Sequence, residues 1–181
     1  TLDGIADDWP IDYATLAPYY DENDRMMGVA GLAGDPAYPP KKPTMPPVPL
    51  GRSGAAMAKG FNALGWHWWP SDCAINTTAY DGRDRCINLG ACCSGCTQGA
   101  KASTDITYWP LAIRAGVELR TRCRVREITV GDDGMATGVI YFDADGREQR
   151  QEAEVVVVAC NGIGTPRLLL NSRSRQFPDG L

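Results

Sequence analysis

Histidine is almost missing from this 181-residue sequence: His67 is its only one. It lies in Trp66-His67-Trp68-Trp69-Pro70, and tryptophans bury large areas and often simply cap a core. A general base also needs a group to orient it, and the sequence assigns none, so His67 receives no catalytic role. Long apolar runs are missing as well, and nothing approaches the length that spans a bilayer. There is no block of lysine and arginine. The net charge is -4, which excludes a basic nucleic-acid face. Arg120, Arg122, Arg124 and Arg126 alternate, a pattern that reads as one solvated face of a strand. The chain opens with neither a methionine nor a basic-then-apolar leader. Its first residues read as the middle of a longer protein.

One further absence bears on function. A dinucleotide fingerprint needs three glycines spaced G-x-G-x-x-G, and no such run opens the chain. What is present is a partial counterpart around residues 155–170. Four consecutive valines, Val155 to Val158, predict a short strand buried on both faces of a parallel sheet. Asn161, Gly162 and Gly164 tolerate tight or left-handed backbone. Thr165 suits an N-cap and Pro166 a first helical turn, after which Leu168, Leu169 and Leu170 continue a helix. In open α/β sheets ligands bind at such strand ends, and the free N–H groups of a helix start favour anions such as a pyrophosphate.

The remaining elements follow from local chemistry. Asp8-Trp9-Pro10-Ile11 is extended, and Pro18 opens a helix that Gly28 ends. Seven prolines between residues 31 and 50 make an extended connector. Ser53 caps a helix with Met57, Phe61 and Leu64 on one face and Gly65 at its end. Pro110 to Ala115 form a short helix stopped by Gly116. Glu118 to Val130, Thr137 to Phe142 and Glu148 to Ala159 read as three strands, joined by the turns Gly131–Gly134 and Asp143–Gly146. They form an antiparallel meander that feeds the valine strand.

Cysteine is neither scarce nor dense. Seven are present, an odd number that argues against a complete disulfide framework. Cys86, Cys92, Cys93 and Cys96 crowd one glycine-rich stretch. Cys93 to Cys96 has C-x-x-C spacing, but no second such pair completes a zinc knuckle. Three readings are open: packing thiols, a disulfide, or ligands to an iron–sulfur cluster.

The segment Ala159 to Ser172, with Thr165-Pro166-Arg167-Leu168-Leu169-Leu170 at its centre, resembles the second signature of the glucose–methanol–choline (GMC) flavoprotein oxidoreductases. That family usually has small-Gly-Ala where this chain has Cys160-Asn161-Gly162. Residues 8–30 and 86–128 are similar too. The cysteine stretch looks like a branch that includes long-chain alcohol oxidases and gluconate-type dehydrogenases. The resemblance implies an internal fragment of an α/β, glutathione-reductase-like FAD-binding domain, with part of a substrate domain. Its implied boundaries are 1–30 for a loop and helix leaving the FAD domain and 31–52 for the proline-rich connector. Residues 53–116 would lie near the substrate domain, and 117–181 would be the FAD-domain meander, returning strand and helix.

The implied activity is oxidation of a CH–OH group by hydride transfer to FAD, with the catalytic base outside this chain and the isolated fragment inactive. The implied cofactor-binding residues are Val125, at the adenine end, with Cys160, Asn161, Gly162, Thr165 and Pro166. Cys86, Cys92 and Cys96 approximate the ligands of a three-iron cluster known in the cysteine-bearing branch, although Thr97 stands where proline is usual. Implied partners are an alcohol or sugar substrate and an electron-acceptor subunit, with no nucleic acid and no transmembrane segment. Two alternatives are an iron–sulfur flavoprotein dehydrogenase subunit and a non-catalytic α/β binding domain.

Overall fold

The computed structural model describes residues 4–181, which form two compact units that divide after Val117. In the first, helix α1 spans Tyr13–Met27. It begins five residues before Pro18 because Asp12 caps it, its carboxylate accepting the Thr15 N–H at 2.8 Å and the Thr15 hydroxyl at 2.7 Å. Pro18 is therefore inside the helix. Gly28 ends α1 as expected, in the left-handed region at φ 71°. A Cβ there would approach both Tyr80 and Arg83 to 2.9 Å, so backbone angle and space both require glycine.

After Gly28 the chain enters the core of this unit. Ala30 exchanges backbone hydrogen bonds with Cys73 at 2.8 and 3.0 Å, and Gly31 N–H donates to Met45 C=O at 3.1 Å. Ala30 is fully buried, with Val29 and Met45 close behind. Small residues allow three extended segments to meet there without a full sheet. Residues 31–50 otherwise contain no helix or strand, as seven prolines lacking N–H donors dictate.

Helix α2 spans Gly51–Leu64 and Gly65 closes it at φ 68°. Ser53 is within the helix rather than at its cap, and Leu50 precedes it without a side-chain bond. The expected face is also corrected. Met57 and Leu64 are exposed, and Ala58 is the residue that packs inward. Helix α3, Tyr108–Arg114, begins two residues before Pro110 and ends before Gly116.

The second unit carries the meander. Strands β1 (Arg124–Val130), β2 (Ala136–Phe142) and β3 (Glu148–Glu152) form an antiparallel sheet in the order β1-β2-β3. The first strand is shorter than the alternation from Glu118 suggested, because Arg122 adopts φ 56° and breaks the extended run. A register shift between Val125 and Glu127 leaves Arg126 as an extra residue opposite β2. The arginines do more than meet water. Arg120 donates to the Tyr141 hydroxyl and to Gln151 Oε1, while Arg126 pairs with Glu127 and Glu148.

Helix α4 spans Asn161–Asn171 and packs on β1. Ile128, Leu168 and Ser172 are the buried residues between them. The valine run departs most from expectation. Residues 153–160 form no strand, and Val155 and Val157 are 76% and 82% exposed. A strand exists only where a neighbour completes its hydrogen-bond ladder. Ala153 N–H still donates to Thr137 C=O at 3.1 Å, but among the described residues no strand pairs with Val155 to Val158.

Candidate nucleotide site

The candidate site forms where α4 meets the outer edge of β1, within the second unit. Ser172 sets that meeting. Its hydroxyl accepts the Ile128 N–H at 2.9 Å and donates to Leu168 C=O at 2.7 Å, and the residue is only 2% exposed. One hydroxyl thus satisfies the strand edge and the last turn of the helix together. Above this pin, β1 and α4 diverge around a cavity of about 460 Å³, and Val125, Cys160 and Gly164 share its wall.

Along α4, Cys160, Gly164, Arg167, Leu168 and Asn171 face this space, the spacing of a single helical face. From the sheet come Val125 and the side chain of Arg124, whose guanidinium lies 5.4 Å from the Phe142 ring centroid. Val125 and Cys160, assigned to the flavin from resemblance, are therefore neighbours across one cavity. Asn161, Gly162, Thr165 and Pro166 occupy the first turns of α4 and do not line it.

The start of α4 corrects the expected cap. The helix begins at Asn161, four residues before Thr165. Asn161 has φ 59°, and its Oδ1 accepts the N–H groups of Ile163 and Gly164 at 2.8 and 3.1 Å. Thr165 turns back, its hydroxyl accepting the Cys160 N–H at 3.2 Å. Three donors that would otherwise favour a pyrophosphate are already engaged by side chains. The sequence signal for this was Asn161 itself, a short amide that tolerates left-handed backbone and caps helices.

The cavity nevertheless suits the adenosine end of a dinucleotide. Its volume falls within the range of about 300–1,000 Å³ typical of small-molecule sites. Among the described residues the outer edge of β1 makes its one side-chain hydrogen bond to Ser172, so other strand N–H and C=O groups are left for an adenine. Gly164 keeps the helix face low: a Cβ there would come within 2.9 Å of the Cys160 Cβ. Among the described residues no carboxylate lines the space.

The cysteine stretch is different. All seven cysteines are free thiols. Cys86, Cys92 and Cys96 border one cavity, but its volume is about 20 Å³, room for about one water molecule. Among the described residues, no three histidine, cysteine or acidic side chains converge as a metal site. This arrangement does not fit an iron–sulfur cluster. The Lys101 backbone N–H, followed by those of its neighbours, holds the Cys96 thiol below its ordinary range.

His67 has the partner that sequence reasoning did not find. Its Nε2 lies 2.9 Å from Asp35 Oδ1, and its ring stacks on Trp69 with centroids 6.3 Å apart. Asp35 and His67 are 32 residues apart across the proline-rich segment, so no local pattern could have linked them. No helix among the described residues is long and apolar enough to cross a membrane.

Comparison with known proteins places the chain among its relatives. The sequence model of the GMC oxidoreductase family matches residues 50–175. The chain is 47% identical over 177 residues to 2-methyl-1,2-propanediol dehydrogenase of Mycolicibacterium austroafricanum, covering 96% of this chain and 32% of that protein. It is 35% identical to paromamine 6'-oxidase of Streptomyces fradiae, over 96% of this chain and 32% of the relative. It is 30% identical to the fructose dehydrogenase large subunit of Gluconobacter japonicus, over 98% and 33% respectively. The chain thus spans about a third of the length of the curated relatives it matches.

Proposed function

Because this chain belongs to the GMC oxidoreductase family, we propose that it is part of an FAD-dependent enzyme that oxidises a CH–OH group. Its meander and α4 hold the adenosine end of the cofactor. The observation that carries this reading is the shared cavity, where Val125 on an open strand edge faces Cys160 and Gly164 on a helix. When bound, FAD supplies the redox chemistry by accepting hydride from the carbinol carbon.

The residues of this chain bind and orient. The β1 edge at Val125 offers backbone groups to the adenine, and Gly164 lets the nucleotide lie close to α4. Cys160, Asn161, Gly162, Thr165 and Pro166 form the turn that fixes where this helix begins, with Asn161 and Thr165 supplying its internal caps. No residue of this chain is assigned as the catalytic base. The substrate is a small alcohol or sugar, a class supported by relatives named for a propanediol and fructose. The name of the fructose dehydrogenase large subunit also supports a separate electron-accepting subunit.

The test is an absorption spectrum of the full-length protein purified without added cofactor. A two-peaked flavin spectrum, bleached by an alcohol or sugar, is expected. A colourless protein that takes up no FAD would sink the reading. Broad absorption beyond the flavin bands, with stoichiometric iron and acid-labile sulfide, would overturn the assignment of Cys86, Cys92 and Cys96 as free thiols.

A further inference from the structure

The four crowded cysteines of the first unit do not stand alike. Cys93, which completes the C-x-x-C spacing with Cys96, is exposed and does not border the small cavity of this stretch. Cys86, Cys92 and Cys96 do border it, around a volume of only about 20 Å³. Both ends of the stretch are tied to buried Asn76, whose C=O accepts the Cys86 N–H at 2.7 Å and whose N–H donates to Ala100 C=O at 2.9 Å. Between them the chain folds back on itself. Ser94 N–H donates to Ala91 C=O at 3.1 Å, and Gly95 follows at φ 123°, an angle that glycine adopts without a steric cost. The turn brings Cys92 and Cys96, with three residues between them, to one cavity wall. Cys86 is engaged otherwise, its Sγ accepting the Asn88 N–H at 3.3 Å.

Reactivity separates Cys96 from its neighbours. The backbone N–H groups of Lys101, Ala100, Gln98 and Gly99 hold its thiol below the ordinary range, so its thiolate forms at lower pH than that of an ordinary cysteine. The Lys101 ammonium lies 3.0 Å from Cys92 C=O, which adds positive charge to the same stretch. Among the described residues no carboxylate borders the cavity to oppose it. The thiolate is the form that attacks an oxidant, and a thiolate beside a second cysteine can be resolved to a disulfide.

We propose that Cys96 and Cys92 are a redox-modification site, at which hydrogen peroxide closes a reversible disulfide across this turn. The Cys96 thiolate attacks the peroxide: an S–O bond forms, the O–O bond breaks, and the departing hydroxide takes a proton and leaves as water. The Cys92 thiol then attacks the Cys96 sulfenic sulfur. An S–S bond forms, the S–O bond breaks, and a second water leaves with the Cys92 proton. Two electrons pass from the sulfur pair to the peroxide. The site uses residues of the first unit alone, so it stands or falls separately from the nucleotide reading.

The test treats the reduced full-length protein with stoichiometric hydrogen peroxide, alkylates the remaining thiols and maps them by mass spectrometry. Cleavage after Arg85 and Lys101 leaves Cys86, Cys92, Cys93 and Cys96 on one peptide, so variants identify the pair. The wild-type peptide should lose two hydrogens, take up two alkyl groups instead of four, and recover all four thiols with dithiothreitol. Cys93→Ser should still close the disulfide. Cys92→Ser should stop at a sulfenic acid on Cys96 that dimedone traps, and Cys96→Ser should not react at the same dose. A disulfide that persists in Cys92→Ser, or that is lost in Cys93→Ser, would overturn the pair. Four unreacted thiols in the wild-type peptide, at a dose that already oxidises Cys123 or Cys160, would overturn the site altogether. Stoichiometric iron and acid-labile sulfide bound to these cysteines would do the same.

Discussion

At the scale of single residues, the second unit depends on a hydroxyl. Ser172 is buried and bridges Ile128 N–H and Leu168 C=O. Alanine in its place fills nearly the same volume but leaves the strand N–H without an acceptor in a site closed to water. That desolvation penalty is about 1–3 kcal/mol. Ser172→Ala in the full-length protein should lower stability by this amount in chemical denaturation, and it should weaken ADP binding because α4 no longer holds its place against β1. Ser172→Thr keeps the hydroxyl and should restore nucleotide affinity if its methyl group is accommodated. Undiminished stability in the alanine variant would show that the serine only fills space. The sequence contained Ser172 at the end of the recognised signature without suggesting this function, since a partner 44 residues away leaves no local trace.

At the scale of elements, the turn between β2 and β3 is organised by one carboxylate. Asp143 Oδ1 accepts the N–H groups of Asp145 and Arg147 at 3.0 and 2.9 Å, and Oδ2 accepts from Gln149 at 3.1 Å. The Arg147 N–H is the largest cause of a pKa below the ordinary 3.8. A group with a depressed folded pKa stabilises the fold above its unfolded value and loses that contribution as pH falls through the folded value. The stability difference between wild type and Asp143→Asn should therefore be constant above pH 3.8 and shrink on further acidification. Melting curves across pH check this; a difference independent of pH would mean that the charge does not hold the turn. This hairpin was also legible in advance, because Asp-Gly turns and alternating strands are local signals. Helix ends set by glycine, at Gly28 and Gly65, were legible for the same reason. Helix starts were not: Asp12 and Asn161 began α1 and α4 earlier than the prolines and Thr165 suggested, because capping chemistry outweighed the position of proline.

At the scale of the whole molecule, the valine run raises the question of what its exposed side chains meet. Val155 and Val157 are exposed while Val156 and Val158 are half-buried, the alternation of an extended segment covered on one side. The chain spans about a third of its relatives' length, and four β-branched residues in a row suit a strand with both faces covered. In the full-length protein, both sets of side chains should then be buried. Val157→Lys would place an ammonium where an apolar side chain contributes about 1.5–3 kcal/mol, so it should destabilise at least as much as Val158→Lys. If only the face seen here were covered, Val157→Lys would change stability by less than about 0.5 kcal/mol, as surface substitutions do, while Val158→Lys would remain costly. Denaturation of the two full-length variants, measured side by side, separates a central strand from an edge. The comparison also bears on the nucleotide site, because the run leads directly into Cys160 and the first turn of α4. A central strand would fix that turn from behind as Ser172 fixes the helix from below, and Val157→Lys should then weaken ADP binding together with stability.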